Sequence, residues 1–162
     1  MTMTGWENFF IAEVGASATL AGLVFVGVSI NLAKIVAYPG LPNRILEALI
    51  ALLLVLLVSS LQLIPGQILL FSGSEVLLIG SSGWIAMFRL HIIHLRTVER
   101  EHLRQALVEA TFGQTAVLSF VVAGILIITQ GAGGMYWISL GTICAFLIVF
   151  YNAWILLIEI NR

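Results

Sequence analysis

The chain has 162 residues, of which 60% are hydrophobic and 9% are charged, and its formal net charge is −1. A water-soluble domain of this composition would expose large apolar patches, so the composition excludes that class and favours a protein that lies in lipid. With so little net charge and no long basic run, nucleic acid is not an expected partner. The one cysteine, Cys144, excludes an intrachain disulfide or a metal site built from several cysteines.

The apolar segments are long and continuous, which predicts membrane helices and not the alternating strands of a barrel. A span needs about 20 residues, and the chain divides into five such segments, leaving no room for a domain outside the membrane. The predicted spans are at about 9–37, 45–65, 75–95, 108–130 and 135–159. We therefore predict an all-α fold, a polytopic integral membrane bundle of five transmembrane helices that forms a single domain over residues 1–162.

Proline and glycine residues mark three of the interruptions between the predicted spans. The first contains Tyr38-Pro39-Gly40-Leu41-Pro42, which cannot continue a helix, and the second contains Pro65-Gly66. The third, Gln130-Gly131-Ala132-Gly133-Gly134, predicts a tight return. The second interruption is the weakest, because a proline in a membrane helix can kink the helix without ending it.

The basic residues test the number of spans. With five spans, all seven lie on one side of the membrane. They are Lys34, Arg44, Arg89, Arg96, Arg100, Arg104 and Arg162. Because cytoplasmic loops carry an excess of Lys and Arg, we predict that the N-terminus is outside and the C-terminus is cytoplasmic. A four-span arrangement would place basic clusters on both sides, which the same rule disfavours.

The first span is too rich in small and polar residues to be a helix that only faces lipid. At about 100° per residue, two faces separate. One line consists of Glu13, Ser17, Val24 and Asn31. The roughly opposite face, which we call the small face, consists of Gly15, Ala18, Gly22 and Ser29. Small residues allow another helix to approach closely, and the polar line can border a water-filled path or bond to neighbouring helices.

Glu13 is the best single functional candidate in the sequence. It lies about one turn inside the outer boundary of its span, where a charged carboxylate costs a few kcal/mol unless it finds water, a partner or a proton. The alternative is that Glu13 only reaches the outer interface beside Glu7. Asn31 and Lys34 have the same alternative at the inner interface, where the lysine side chain extends toward the headgroups.

Other polar residues lie within the later spans. Ser59, Ser60 and Gln62, followed by Pro65-Gly66-Gln67, are either an ion site at a broken helix or a helix end whose polar groups satisfy one another. The fourth and fifth spans carry polar side chains that we expect to bond across helices. These are Gln114, Thr115, Ser119, Ser139, Thr142 and Asn152. The fourth and fifth spans carry no acidic pair deep enough to suggest a proton relay.

The third span ends in histidines and charges. His91, His94 and His102, with Glu99 and Glu101 nearby, raise the question of a metal site, but the spacing favours hydrated residues at the interface and no metal is predicted. The charged segment from Leu95 to Arg104 is expected to be a solvated helical extension. Its arginines can meet an acidic partner or anionic lipid. These arginines are Arg96, Arg100 and Arg104.

The stretch from Phe9 to Leu32, FFIAEVGASATLAGLVFVGVSINL, resembles a group of small bacterial membrane proteins, some of which are labelled modulator of FtsH protease. The likeness is concentrated in this first span, and elsewhere only the length and the hydropathy plan agree. The resemblance implies a bacterial inner membrane location, and it carries over no functional residues.

Enzyme signatures are missing from the sequence, which contains no phosphate-binding loop, no nucleophile elbow, no HExxH motif and no aspartate. We therefore expect a protein that is not an enzyme and has no cofactor. The favoured function is a homo-oligomeric channel or conduit in which Glu13, Ser17 and Asn31 border a pore for cations. The alternatives are an accessory or regulatory subunit of a larger membrane complex or membrane protease, and a protein that binds a lipid or quinone between its helices.

Overall fold

The computed structural model describes residues 5–37, 40–97 and 103–160. They form five long helices: α1 (Glu7–Ala37), α2 (Leu41–Gln62), α3 (Leu69–Thr97), α4 (Leu103–Gln130) and α5 (Met135–Ile160). All five are long and apolar enough to cross a membrane. The all-α class and the number of helices are therefore confirmed, and the chain has the plan of a multi-pass membrane protein.

Four of the helices, α1 to α4, begin earlier than the apolar runs predict. Helix α2 begins at Leu41 with Pro42 in its first turn, where a proline is tolerated because the N–H that it lacks would have no partner inside the helix. Helix α3 begins at Leu69 and includes the polar residues Ser72 and Glu75. Apolar length therefore underestimates helix length wherever polar residues occupy the first turns.

The predicted interruptions end helices. Helix α2 stops at Gln62, and Pro65 and Gly66 lie in the turn that precedes α3, so the second interruption is a true helix end. A short 3₁₀ helix, Gly131–Gly134, makes the return between α4 and α5. Tyr38 and Pro39, in the first interruption, lie outside the described residues.

Helices α3 and α4 make the closest approach in the bundle. A Cβ added at Gly124 of α4 would lie 2.6 Å from the backbone nitrogen of Leu77 and 2.7 Å from its Cα. Only a residue without a side chain fits against the α3 backbone there. This contact holds the two antiparallel helices in register along their length.

Helix α2 lies at the centre and α1 at the edge. In the most apolar stretch of each helix, 56% of residues are buried in α2 and only 6% in α1. The core between the helices is apolar and contains Phe10, Val55, Val58, Val76, Phe120 and Ile127. The edge position of α1 leaves most of its surface for lipid or for another protein.

The helices alternate in direction, so the bundle has two chemically distinct ends. We call the end that contains Lys34, Arg44, Arg96 and Arg104 the basic end. The opposite end contains the first turn of α1, the turn at 63–68 and the return at 131–134, and we call it the far end. There the ring of Trp6 lies edge-on to Tyr136, with centroids 5.1 Å apart, which ties the start of α1 to the start of α5.

Candidate functional site

Seven polar side chains from four helices form one hydrogen-bonded set at the basic end, which we call the polar network. Its members are Arg44 and Glu47 of α2, His91 of α3, Glu109 and Gln114 of α4, and Tyr151 and Asn152 of α5. The sequence separates these residues by up to 108 positions, and only the packing of the helices brings them together.

An ion pair occupies the side of the network nearest the basic end. Nη2 of Arg44 donates to both carboxylate oxygens of Glu109, at 2.8 and 3.0 Å. The hydroxyl of Tyr151 donates to Oε1 of the same carboxylate at 3.1 Å. Both charged side chains are largely buried, with exposed fractions of 19% and 16%. A charge-assisted pair of this kind is stronger than a neutral hydrogen bond and fixes α2 against α4.

The second half of the network is centred on His91. Its Nε2 lies 3.1 Å from Oε1 of Glu47, and its Nδ1 lies 2.9 Å from Nε2 of Gln114. Because the amide nitrogen of Gln114 can only donate, Nδ1 accepts and Nε2–H donates to Glu47. The imidazole therefore bridges a carboxylate of α2 and an amide of α4.

Asn152 joins the two halves. Its Oδ1 accepts from Nη1 of Arg44 at 3.3 Å, and its Nδ2 donates to Oε2 of Glu47 at 3.4 Å. The result is an unbroken chain of hydrogen bonds from Tyr151 to Gln114. Linked polar groups in a region of low dielectric polarise one another, so a change of charge at one member alters the hydrogen bonds of the others.

The backbone of α4 comes close to the histidine pair at Gly113. A Cβ at this position would lie 2.7 Å from Cε1 of His91 and 2.9 Å from Oε1 of Glu47. The absence of a side chain at Gly113 therefore makes room for the imidazole and the carboxylate between α2, α3 and α4.

The network extends well into the bundle. Glu47 lies six residues, or about 9 Å, beyond the start of α2, and Gln114 lies eleven residues, or about 16 Å, beyond the start of α4. Oε1 of Gln114 is buried and has no partner in the described part of the chain. A small cavity of about 20 Å³, enough for one water molecule, adjoins Arg44, Glu47, His91 and Glu109.

Polar side chains also meet at the far end. The hydroxyl of Ser72 donates to Oε1 of Gln62 at 2.7 Å, and Nε2 of Gln67 donates to Glu75. Four buried atoms here have no partner among residues 5–37, 40–97 and 103–160: Glu13 Oε2, Ser59 Oγ, Gln62 Nε2 and Gln67 Oε1. The helix end therefore satisfies its polar groups through α3 only in part.

The two faces predicted for α1 are separated in space. Ser17 is fully buried and donates to the carbonyl of Glu13, while Asn31 donates to the carbonyl of Gly27. The polar line thus faces the bundle of its own chain. The small face, Gly15, Ala18, Gly22 and Ser29, is exposed. If copies of the protein packed through the small face, a pore between them would lie on the side of α1 opposite to Glu13, Ser17 and Asn31. The role of these three residues in a pore stays a prediction.

The expected bonds across helices are formed only in part. Gln114 and Asn152 reach other helices, as predicted. For three of the hydroxyls the prediction is wrong: Thr115, Ser119 and Ser139 each donate to a carbonyl of their own helix. In a helix, a hydroxyl can donate to the backbone carbonyl three or four residues earlier, so it needs no acceptor on a neighbouring helix.

Glu47 and Glu109 are members of the polar network that the sequence did not single out. The sequence predicts no paired carboxylate site, whereas the structure links Glu47 of α2 to Glu109 of α4 through Asn152 and Arg44. The available signal was the set of ionisable residues near the same ends of different spans. Without the helix packing, that signal cannot say which of them meet.

The remaining predicted residues are distributed as follows. His91 turns into the network, and His94 lines the small cavity. Arg96 and Arg104 are exposed. Glu99, Arg100, Glu101 and His102 lie outside the described residues. Within the ranges that the structure describes, no group of three or more His, Cys, Asp or Glu side chains is placed to hold a metal ion.

No protein-family model, curated protein or solved structure matches the chain. Its function is therefore inferred from the geometry of the polar network.

Proposed function

We propose that the protein is a proton conduit of a bacterial inner membrane and that the polar network is the site that takes up and releases the proton. The observation that supports this is the chain of hydrogen bonds that links Glu109, Glu47 and His91 inside a bundle of apolar helices. Ionisable groups are costly at such depth, and in membrane proteins they mark ion or proton pathways.

The surroundings of His91 fit a site that binds and releases one proton. In the arrangement observed, Nδ1 accepts from the amide of Gln114, while Oε1 of that amide has no partner among the described residues. When Nδ1 takes up a proton it becomes a donor, and a half-turn of the amide presents Oε1 to it. The carboxylate of Glu47 stabilises the imidazolium that results. A water molecule in the small cavity beside Glu109 would connect His91 to the basic end for proton transfer.

An apolar layer separates the network from the far-end polar groups. Glu47 and Ser59 lie on the same helix, twelve residues or about 18 Å apart, and the buried side chains between them include Leu52, Val55 and Val58. The hydroxyl of Thr142, in α5, is buried and has no partner among residues 5–37, 40–97 and 103–160. This conformation is closed to protons, and conduction requires water to enter the layer.

The test is proton flux into vesicles that contain the purified protein. A potassium gradient with valinomycin sets the membrane potential, and a dye inside the vesicles reports the pH. We expect faster proton entry than in protein-free vesicles, and loss of most of this flux in Glu47→Gln and His91→Gln. The matched control is Glu7→Gln, which neutralises an exposed carboxylate at the start of α1.

Two results would overturn the proposal. One is proton entry no faster than in protein-free vesicles, with the protein shown to be folded and inserted. The other is flux that survives both network substitutions. If Glu13→Gln lowered the flux while Glu47→Gln did not, the pathway would follow α1, as the sequence alone predicted.

We propose in addition that the conduit is a homo-oligomer formed through α1. Two features support this: α1 is the least buried helix, and the structure shows nothing within 4 Å of an added Cβ at Gly15 or Gly22. Small, exposed positions on one helix face are where membrane helices approach closely. A stoichiometric complex with a different protein, held by Arg96 and Arg104, would instead support an accessory subunit.

A further inference from the structure

A second, larger cavity lies between α4 and α5, with a volume of about 320 Å³. Its apolar walls are Val108, Phe112, Leu147 and Ile148. Almost all of the accessible wall is apolar, and four members of the network, Glu47, Glu109, Tyr151 and Asn152, complete the lining at what we call its polar end. A mostly apolar cavity of this volume with a few convergent polar groups is the usual form of a small-molecule site.

The cavity is open toward lipid. Phe112 and Leu147 line it and are exposed by 63% and 61% on the outer surface of the bundle. A molecule that dissolves in the bilayer can therefore enter from the side, without crossing the charged basic end. Entry from lipid selects for a ligand with an apolar body.

The charges at the polar end select the head group of that ligand. The network contains two carboxylates, Glu47 and Glu109, and one guanidinium, Arg44, which is paired with Glu109. Counted as formal charges, with histidine taken as neutral, these side chains sum to one net negative charge. The hydrogen bond that Oε2 of Glu47 accepts from Asn152 is long, 3.4 Å, and a carboxylate has room for further donors. One added positive charge with N–H groups would balance this end.

We propose that this cavity binds a lipophilic amine, with the protonated amine between the carboxylates of Glu47 and Glu109 and the apolar body along α4 and α5. A carboxylate head group would be repelled. A phospholipid phosphate would need a cation, and Arg44 is already bound to Glu109. The inference deepens the proposed function by naming a ligand for the same network. It rests on that function for transport, whereas binding itself needs no proton flux.

Binding is tested in detergent with three probes that share one apolar body: 4-phenylbutylamine, 4-phenylbutan-1-ol and 4-phenylbutyrate. A ligand that binds only the folded state raises the temperature of unfolding in a concentration-dependent way. We expect the amine to bind and the carboxylate not to bind. Replacing the ammonium by the hydroxyl should weaken binding about tenfold, or about 1.4 kcal/mol, because a charged pair is lost.

Two variants locate the site. Glu47→Gln should weaken binding of the amine about tenfold. Leu147→Trp fills the cavity from the lipid side and leaves every network residue unsubstituted, so it should abolish binding even if Glu47→Gln folds poorly. Equal affinity for the amine and the alcohol, or amine binding unchanged in both variants, would overturn the inference. Binding without proton flux would refute the proposed function alone, and proton flux without binding would refute this inference alone.

Discussion

At the scale of single residues, Glu47 is the most buried carboxylate in the part of the bundle that the structure describes. It is 9% exposed and accepts from both His91 and Asn152. Hydrogen bonds between membrane helices contribute only about 0.6 kcal/mol on average, but a buried donor left without a partner costs about 1–3 kcal/mol. The loss of the acceptor therefore matters more than the loss of the bond.

Glu47→Leu should lower the free energy of unfolding by about 2–4 kcal/mol, because it leaves two buried donors without acceptors. Glu47→Gln keeps one acceptor oxygen and should cost about 1 kcal/mol. The measurement is reversible denaturation in mixed micelles. Stability of both variants equal to that of the wild type would show that the network contributes nothing to the fold.

Gly113 is the residue whose side chain, if present, would meet the network directly. Gly113→Ala places a methyl group 2.7 Å from the His91 ring, so we expect a loss of stability of about 1–3 kcal/mol. Gly27→Ala is the matched control, since nothing lies within 4 Å of a Cβ there and alanine is the better helix former. Thermal unfolding in detergent compares the two, and an unaffected Gly113→Ala would contradict the observed packing.

At the scale of elements, α1 differs from the other four helices. Its polar line faces the bundle, its small face is exposed, and Asn31 has non-helical backbone angles, with φ −113° and ψ 15°. The last turn beyond Asn31 packs Ile35 against Leu41 and Ile45 of α2. Helix α1 is thus anchored at both ends, by Trp6 against Tyr136 and by Ile35 against α2, and leaves its small face for another helix.

Gly22→Leu should weaken self-association, because a large side chain on the small face prevents close helix approach. Native mass spectrometry of gently extracted protein measures the oligomer directly. Ala16→Leu adds the same side chain at an exposed position off the small face and should leave the oligomer intact. A monomeric wild-type protein, or an oligomer unchanged by Gly22→Leu, would contradict this interface.

At the scale of the whole molecule, the charge asymmetry between the two ends predicts the orientation. Lys34, Arg44, Arg96 and Arg104 share the basic end, which the positive-inside rule places in the cytoplasm. The N-terminus and the return at 131–134 should then face outward. In that orientation the polar network opens toward the cytoplasm.

Cysteine labelling tests this orientation in a Cys144→Ser background. Gly133→Cys, in the far-end return, should react with an impermeant maleimide in right-side-out vesicles. Arg104→Cys should react only in inside-out vesicles. Labelling of both in detergent is the control for reactivity, and the opposite pattern in sealed vesicles would reverse the orientation.

Features that depend on local interactions can be predicted from the sequence, and features that depend on distant contacts cannot. Helix interruptions depend on neighbouring residues, so Pro65-Gly66 and the glycines at 131–134 located the turns correctly. The starts of α2 and α3 were placed too late, because polar residues in a first turn interrupt an apolar run without interrupting a helix. The sequence predicts Glu13 as a functional candidate because the depth of a residue within one span can be estimated from sequence.

By itself, the sequence determined the class of the protein. Hydrocarbon requires every backbone polar group to have a hydrogen-bond partner within the protein, which a helix provides, and apolar segments long enough to span a bilayer can be recognised in the sequence. It also determined the number of helices and the end that carries the basic residues. Only the tertiary structure decided that Glu47, His91 and Glu109 meet, and that the α4/α5 cavity ends on their carboxylates. The reason is that the sequence sets the periodicity of each helix, whereas the rotation and depth of one helix against another depend on packing contacts such as that at Gly113.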